Sequence, residues 1–211
     1  MPELIRRPAR REFVAGPAGR IECAVDAAQG GARGIALVAH PHPLFGGSLD
    51  NKVAQTLARA LAELGYEAWR PNFRGVGQTE GQHDEGRGEL DDLAAVLAHA
   101  ARASAPVVLA GFSFGAAMAT LLAERLKSEG RPAERIVLVG AAVTHRALPA
   151  VPADSVVIHG ERDDTIPLAA VLDWARPHDV PVIVVPGADH FFHGRMHVLR
   201  ALLRQNWHAR A

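Results

Sequence analysis

The sequence predicts an α/β sandwich: a mainly parallel sheet, opened by an N-terminal antiparallel hairpin and covered by helices on both faces. Three observations point there. Apolar runs of strand length alternate with longer helical patterns along the chain. Those runs are unbroken Val, Ile, Leu and Ala rather than alternating every second residue, as strands covered on both faces require. One of them passes straight into a helical segment through a glycine-flanked serine.

Arg11 to Val14 and Ile21 to Asp26 read as two short strands joined by the turn signal Gly16-Pro17-Ala18-Gly19. Six apolar runs follow as parallel strands: Ile35 to Ala39, Tyr66 to Arg70, Val107 to Ala110, Ile136 to Val139, Val156 to His159 and Val182 to Val185. Helices are expected over Asn51 to Leu64, Glu89 to Arg102, Phe114 to Lys127, Leu168 to Ala175 and Arg195 to Gln205. Asp50 is a cap for the first and Gly65 its terminator, while Glu89, Asp91 and Asp92 place negative charge at the positive end of the second. Ligands in sheets of this kind bind beyond the carboxyl ends of the strands, which narrows the search to a few loops.

The 211 residues, 48% of them hydrophobic, support a single domain over 1–211. Acidic and basic residues balance at 23 each, so no net field draws the protein to nucleic acid or an anionic membrane. Cys23 is the sole cysteine and reads as a buried apolar thiol, which excludes an internal disulfide and fits a reducing compartment. The first residues carry Arg6, Arg7, Arg10 and Arg11 without a following apolar stretch, so a cytoplasmic location is expected. No segment approaches the roughly 18 consecutive apolar residues of a membrane-spanning helix.

The loop that carries chemistry is Gly111-Phe112-Ser113-Phe114-Gly115, a GxSxG pattern at a strand-to-helix joint. A nucleophile elbow is so tight that side chains at Gly111 and Gly115 would collide with neighbouring backbone. A serine hydroxyl needs an imidazole to take its proton and a carboxylate to fix that imidazole's tautomer. Both occur downstream in the order such elbows use. His159-Gly160-Glu161-Arg162-Asp163-Asp164 follows one strand, with Asp163 or Asp164 as the acid, and His190 follows the next. His159, which precedes the acid, is read as a packing or hydrogen-bonding residue.

A developing oxyanion needs two backbone donors, one from the residue after the nucleophile, here Phe114, and one from the loop after an earlier strand. In His40-Pro41-His42-Pro43-Leu44-Phe45-Gly46-Gly47 the prolines cannot donate, leaving Leu44 and His42. Leu44 is the expected donor, because Gly46-Gly47 lets the loop fold over the serine, and the side chains of His40 and His42 are expected to brace the loop.

These residues resemble the α/β-hydrolase superfamily, and within it a group of small bacterial serine hydrolases without a lid. The resemblance runs through HPHPLFGG (His40 to Gly47), NFRGVG (Asn72 to Gly77), the serine elbow, the stretch from His159 to Asp163 with Ile166-Pro167, and Gly187 to Phe192. It implies Asp163 rather than Asp164 as the acid, because the family's acid is the third residue after a glycine. It also implies esterase-like chemistry and a site with no cap domain, since about eleven residues, Thr144 to Asp154, stand where a lid would be inserted.

The expected function is therefore a serine hydrolase that cleaves small carboxylic esters or thioesters through an acyl-enzyme on Ser113, with no cofactor and no metal, acting alone or as a homodimer. Two alternatives stand beside it. One is a catalytically silent binding protein of the same fold. The other is a zinc hydrolase using His190, His193 and His197, although no HExxH motif accompanies them.

Overall fold

The computed structural model describes residues 8–101 and 105–207. Eight strands form one sheet: β1 (Arg10–Gly16), β2 (Gly19–Asp26), β3 (Gly34–Ala39), β4 (Tyr66–Pro71), β5 (Val107–Phe112), β6 (Arg135–Val139), β7 (Val156–Gly160) and β8 (Val182–Val185). Their order across the sheet is β1-β2-β4-β3-β5-β6-β7-β8, with β1 antiparallel to β2, β2 antiparallel to β4, and every later pairing parallel. The mainly parallel sheet with its N-terminal hairpin is what the apolar runs predict, and the whole is the α/β-hydrolase fold that the resemblance implies.

Helices α1 (Lys52–Glu63), α2 (Arg87–Ala100), α3 (Phe114–Ser128), α4 (Leu168–Ala175) and α5 (Met196–Gln205) cover the faces. Alternate residues of a strand point to opposite sides, and the core divides accordingly. Ala36 and Val38 of β3 pack with Leu57 and Leu61 of α1 and Leu199 of α5. Ile35 and Leu37 belong instead to the core on the opposite face, with Leu93 of α2, Leu122 of α3 and Val171 of α4. Apolar contact on both faces is what makes these strands continuously hydrophobic.

Several helix ends differ from expectation. Asn51, not Asp50, caps α1: its Oδ1 accepts from the amides of Val53 and Ala54 at 2.9 and 3.2 Å, while Asp50 pairs with Arg11 at 2.8 Å. Glu89 does serve its helix, taking the Gly86 amide at 2.9 Å, but Asp91 and Asp92 are engaged elsewhere, Asp92 by a two-bond pair with Arg74 at 2.7 and 2.9 Å. Arg6, Arg7 and the expected end of α2 at Arg102 lie outside the described residues. Residues 140–155, without a helix or strand, connect β6 to β7. Among the described residues no helix is long and apolar enough to cross a membrane.

Candidate active site

Ser113 stands between β5 and α3 with φ 56° and ψ −118°, a left-handed backbone that a serine adopts only under constraint. The constraint is visible on both sides. Its amide donates to the Val139 carbonyl on β6 at 2.9 Å, and its own carbonyl receives the amides of Ala116 and Ala117 at the head of α3. A Cβ at Gly111 would lie 2.2 Å from the Gly115 carbonyl oxygen, and one at Gly115 would lie 2.2 Å from that of Ala39, so both positions admit no side chain.

His190 sits in the loop after β8, buried, with its ring 4.8 Å from that of Phe112. Gly140 closes in on it, since a Cβ there would be 3.3 Å from the imidazole. The loop is anchored by Phe192, which is fully buried under α5 despite a left-handed φ of 52°. Asp163 follows β7, and its Oδ1 accepts the amides of Ile166 at 2.7 Å and Thr165 at 3.0 Å.

These three side chains meet. His190 Nδ1 lies 2.7 Å from Asp163 Oδ2 and Nε2 lies 3.1 Å from Ser113 Oγ, all three residues being buried. Because an ionised carboxylate can only accept, the ring hydrogen belongs on Nδ1, which leaves the Nε2 lone pair facing the hydroxyl. Burial, the largest single influence, pushes the Asp163 carboxyl up. The His190 hydrogen bond, the Ile166 amide and the nearby imidazoles outweigh it and hold the group below the usual carboxylate range. Such an arrangement can take a proton from the serine hydroxyl and stabilise the imidazolium that results. Asp164 stays at the surface, 3.5 Å from the Thr165 hydroxyl.

The loop after β3 closes the other side. His40 is fully buried; its Nδ1–H donates to the Pro41 carbonyl at 2.6 Å and its Nε2 accepts the Phe73 amide at 2.9 Å. A short 3-10 turn, Pro43–Phe45, follows, and His42 caps it: the Leu44 amide donates to His42 Nδ1 at 3.3 Å. The Leu44 N–H expected to face an oxyanion is thus turned into its own loop. The amides of His42 and Phe114 have no acceptor among the described residues.

Sequence reasoning did not find the cluster beside Phe114. Ring centroids place His42 4.8 Å from Phe114, 4.9 Å from His83 and 4.7 Å from Phe45, with His83 5.8 Å from Phe114. His83 is held by the fully buried Glu89 at 2.7 Å. The six-residue spacing of His83 and Glu89 was the available signal, and it is too common to read alone. The zinc alternative does not assemble. His190 gives Nδ1 to Asp163, His193 pairs with Asp189 at 2.7 Å, and no group of three or more metal-ligating side chains occurs among the described residues.

Fold and site together define an α/β serine hydrolase. The comparisons agree. A family model described as serine aminopeptidase, S33, matches residues 46–171, and the chain belongs to that family. An uncharacterized protein of Rickettsia prowazekii is 34% identical over 84% of this chain and 79% of its own length. An α/β serine hydrolase homologue from Coxiella burnetii superposes with a TM-score of 0.87 at 34% identity, covering 96% of this chain and 99% of its own. A lid-less α/β serine hydrolase from Xanthomonas campestris gives 0.85 at 32% identity, covering 97% and 95%.

Proposed function

We propose that this protein hydrolyses small carboxylic esters or thioesters through an acyl-enzyme on Ser113, with His190 as general base and then acid and Asp163 as its orienting carboxylate. The observation that carries this reading is the continuous run from Asp163 Oδ2 through His190 to Ser113 Oγ, at 2.7 and 3.1 Å. His190 Nε2 removes the hydroxyl proton as Oγ attacks the carbonyl carbon, and then returns that proton to the departing alcohol or thiol. Water, activated by the same nitrogen, releases the acid and restores the hydroxyl.

For the oxyanion we assign the Phe114 amide and, in place of Leu44, the His42 amide. Gly115 packs against the carbonyls of Ala39 and His40, so the β3 loop runs directly beside the elbow, and His42 is its first non-proline residue after His40. The rim favours apolar acyl groups. Leu44 and Phe45 on one side are 67% and 84% exposed, and Phe191 on the other is 44% exposed, flanking a serine that has no lid over it. Peptide cleavage from an amino terminus is less well served, because Glu89, the buried carboxylate beside His83, already accepts from His83 and the amides of Asp84 and Gly86.

The test is reaction with a fluorophosphonate probe together with turnover of p-nitrophenyl esters of graded chain length. Stoichiometric labelling of Ser113 and short-ester turnover that disappears in Ser113→Ala are expected. A folded protein that neither labels nor turns over any ester would return the reading to a silent binding protein.

A further inference from the structure

His159, at the end of β7, is fully buried, and the reaction just proposed gives it no part. Its Nε2 lies 2.9 Å from the Ile166 carbonyl oxygen and 3.5 Å from Asp163 Oδ2. Both neighbours are acceptors, so Nε2 carries the hydrogen. The other nitrogen, Nδ1, is then a bare lone pair, and it is buried with no donor in reach. An orphaned buried acceptor is destabilising, and a leucine of similar size would not carry that penalty. The imidazole therefore has a use that its packing alone does not explain.

The use is visible in the Ile166 peptide. Its carbonyl receives the His159 N–H, and its own amide donates to Asp163 Oδ1 at 2.7 Å. One imidazole thus stands against both oxygens of Asp163: it holds the Ile166 peptide whose amide binds Oδ1, and its N–H edge lies 3.5 Å from Oδ2, near enough for its dipole to act on the charge without a second hydrogen bond. The groups whose charge reaches His159 are Asp163 and His190. Burial, the largest influence, keeps it on the low side of the histidine range, so it meets the carboxylate as a neutral dipole.

We propose that His159 is a positioning residue for the reaction: its Nε2–H holds the Ile166 peptide that binds the Asp163 carboxylate and, as a dipole beside Oδ2, moderates that carboxylate's hold on the proton of His190. The inference rests on the proposed roles of Ser113, His190 and Asp163. A donor beside a carboxylate stabilises its charge and weakens its basicity. Removing the donor strengthens the pull on the imidazolium, and the acidic limb of the kcat/KM profile must then move to higher pH.

The experiment is that profile, with p-nitrophenyl acetate, for His159→Leu, His159→Asn and His159→Gln. Glutamine can place an amide N–H where Nε2 stood; asparagine reaches only the Nδ1 position. The limb is expected to rise by about half to one pH unit in the leucine and asparagine variants and to return with glutamine. A purely structural residue would lower melting temperature and plateau rate without moving the limb, so a limb in folded His159→Leu that overlays the wild type overturns the proposal. Should the variants not fold, nitrogen NMR of histidine-labelled wild-type protein decides. A His159 signal protonated at Nε2 and bare at Nδ1 at neutral pH supports it, and an Nδ1-protonated signal overturns it. That measurement needs no turnover, so absence of esterase activity would count against the proposed function and leave the His159 result to be read separately.

Discussion

Gly115 stands so close to β3 that a Cβ on it would lie 2.2 Å from the carbonyl oxygen of Ala39 and 2.4 Å from that of His40. Both neighbours are backbone and neither can swing away. Gly115→Ala is therefore expected to lose about 3 kcal/mol of stability or more, because the elbow or the β3 loop must shift. Urea unfolding gives the stability. Any protein that still folds should turn over esters poorly, since the displaced loop carries His42. A variant with wild-type midpoint and rate would contradict the close approach.

The two adjacent aspartates should behave differently. Asp163→Asn removes the carboxylate 2.7 Å from His190 and lets the imidazole adopt the wrong tautomer, which is expected to reduce kcat/KM by about 10³-fold or more. Asp164→Asn, at the surface, should leave the rate near that of the wild type. Equal losses from both would undo the assignment.

His40 should make stability pH-dependent. Burial, opposed by its bond to the Pro41 carbonyl, pushes it down to about 4 from 6.5. The unfolded chain therefore takes up a proton that the folded chain refuses. The stabilisation is complete above about pH 6.5 and is lost as pH falls toward about 4, a span worth about 3 kcal/mol. Protonation would also remove the acceptor for the Phe73 amide. His40→Gln keeps an acceptor but cannot titrate. The difference in urea midpoint between wild type and this variant should change across that window and stay constant below it.

Cys23 is fully buried on β2, and burial, the first influence, pushes its thiol up to about 12. With so little thiolate at pH 8, its reaction with a disulfide reagent should be slower than that of a free thiol by about 10³-fold, and fast once urea unfolds the chain. Rapid labelling of the native protein would show that β2 opens readily.

Most of the fold was legible because the parallel strands are covered on both faces, and unbroken apolar runs leave few other readings. That Ser113, Asp163 and His190 could be singled out has a different reason: each follows a strand, strand ends can be located without coordinates, and the family resemblance separates Asp163 from Asp164. What failed was local choice among similar groups. Asp50 and Asn51 are both good caps, and only the course of the chain decides that Asn51 faces the α1 amides while Asp50 meets Arg11. Leu44 and His42 both carry an amide, and that the Leu44 N–H turns to the His42 side chain depends on the course of the loop, which residue types do not reveal. The contacts of His83 with His42, Phe114 and Glu89, and of Arg74 with Asp92, join segments that no sequence period links.

The left-handed backbone at Ser113 has an implication for how such a protein can change over generations. Glycine occupies that region freely, so Ser113→Gly should yield a chain that melts later and does nothing. Robustness and usefulness pull in opposite directions at this one position. A lineage screened for durability alone would drift toward the inert form.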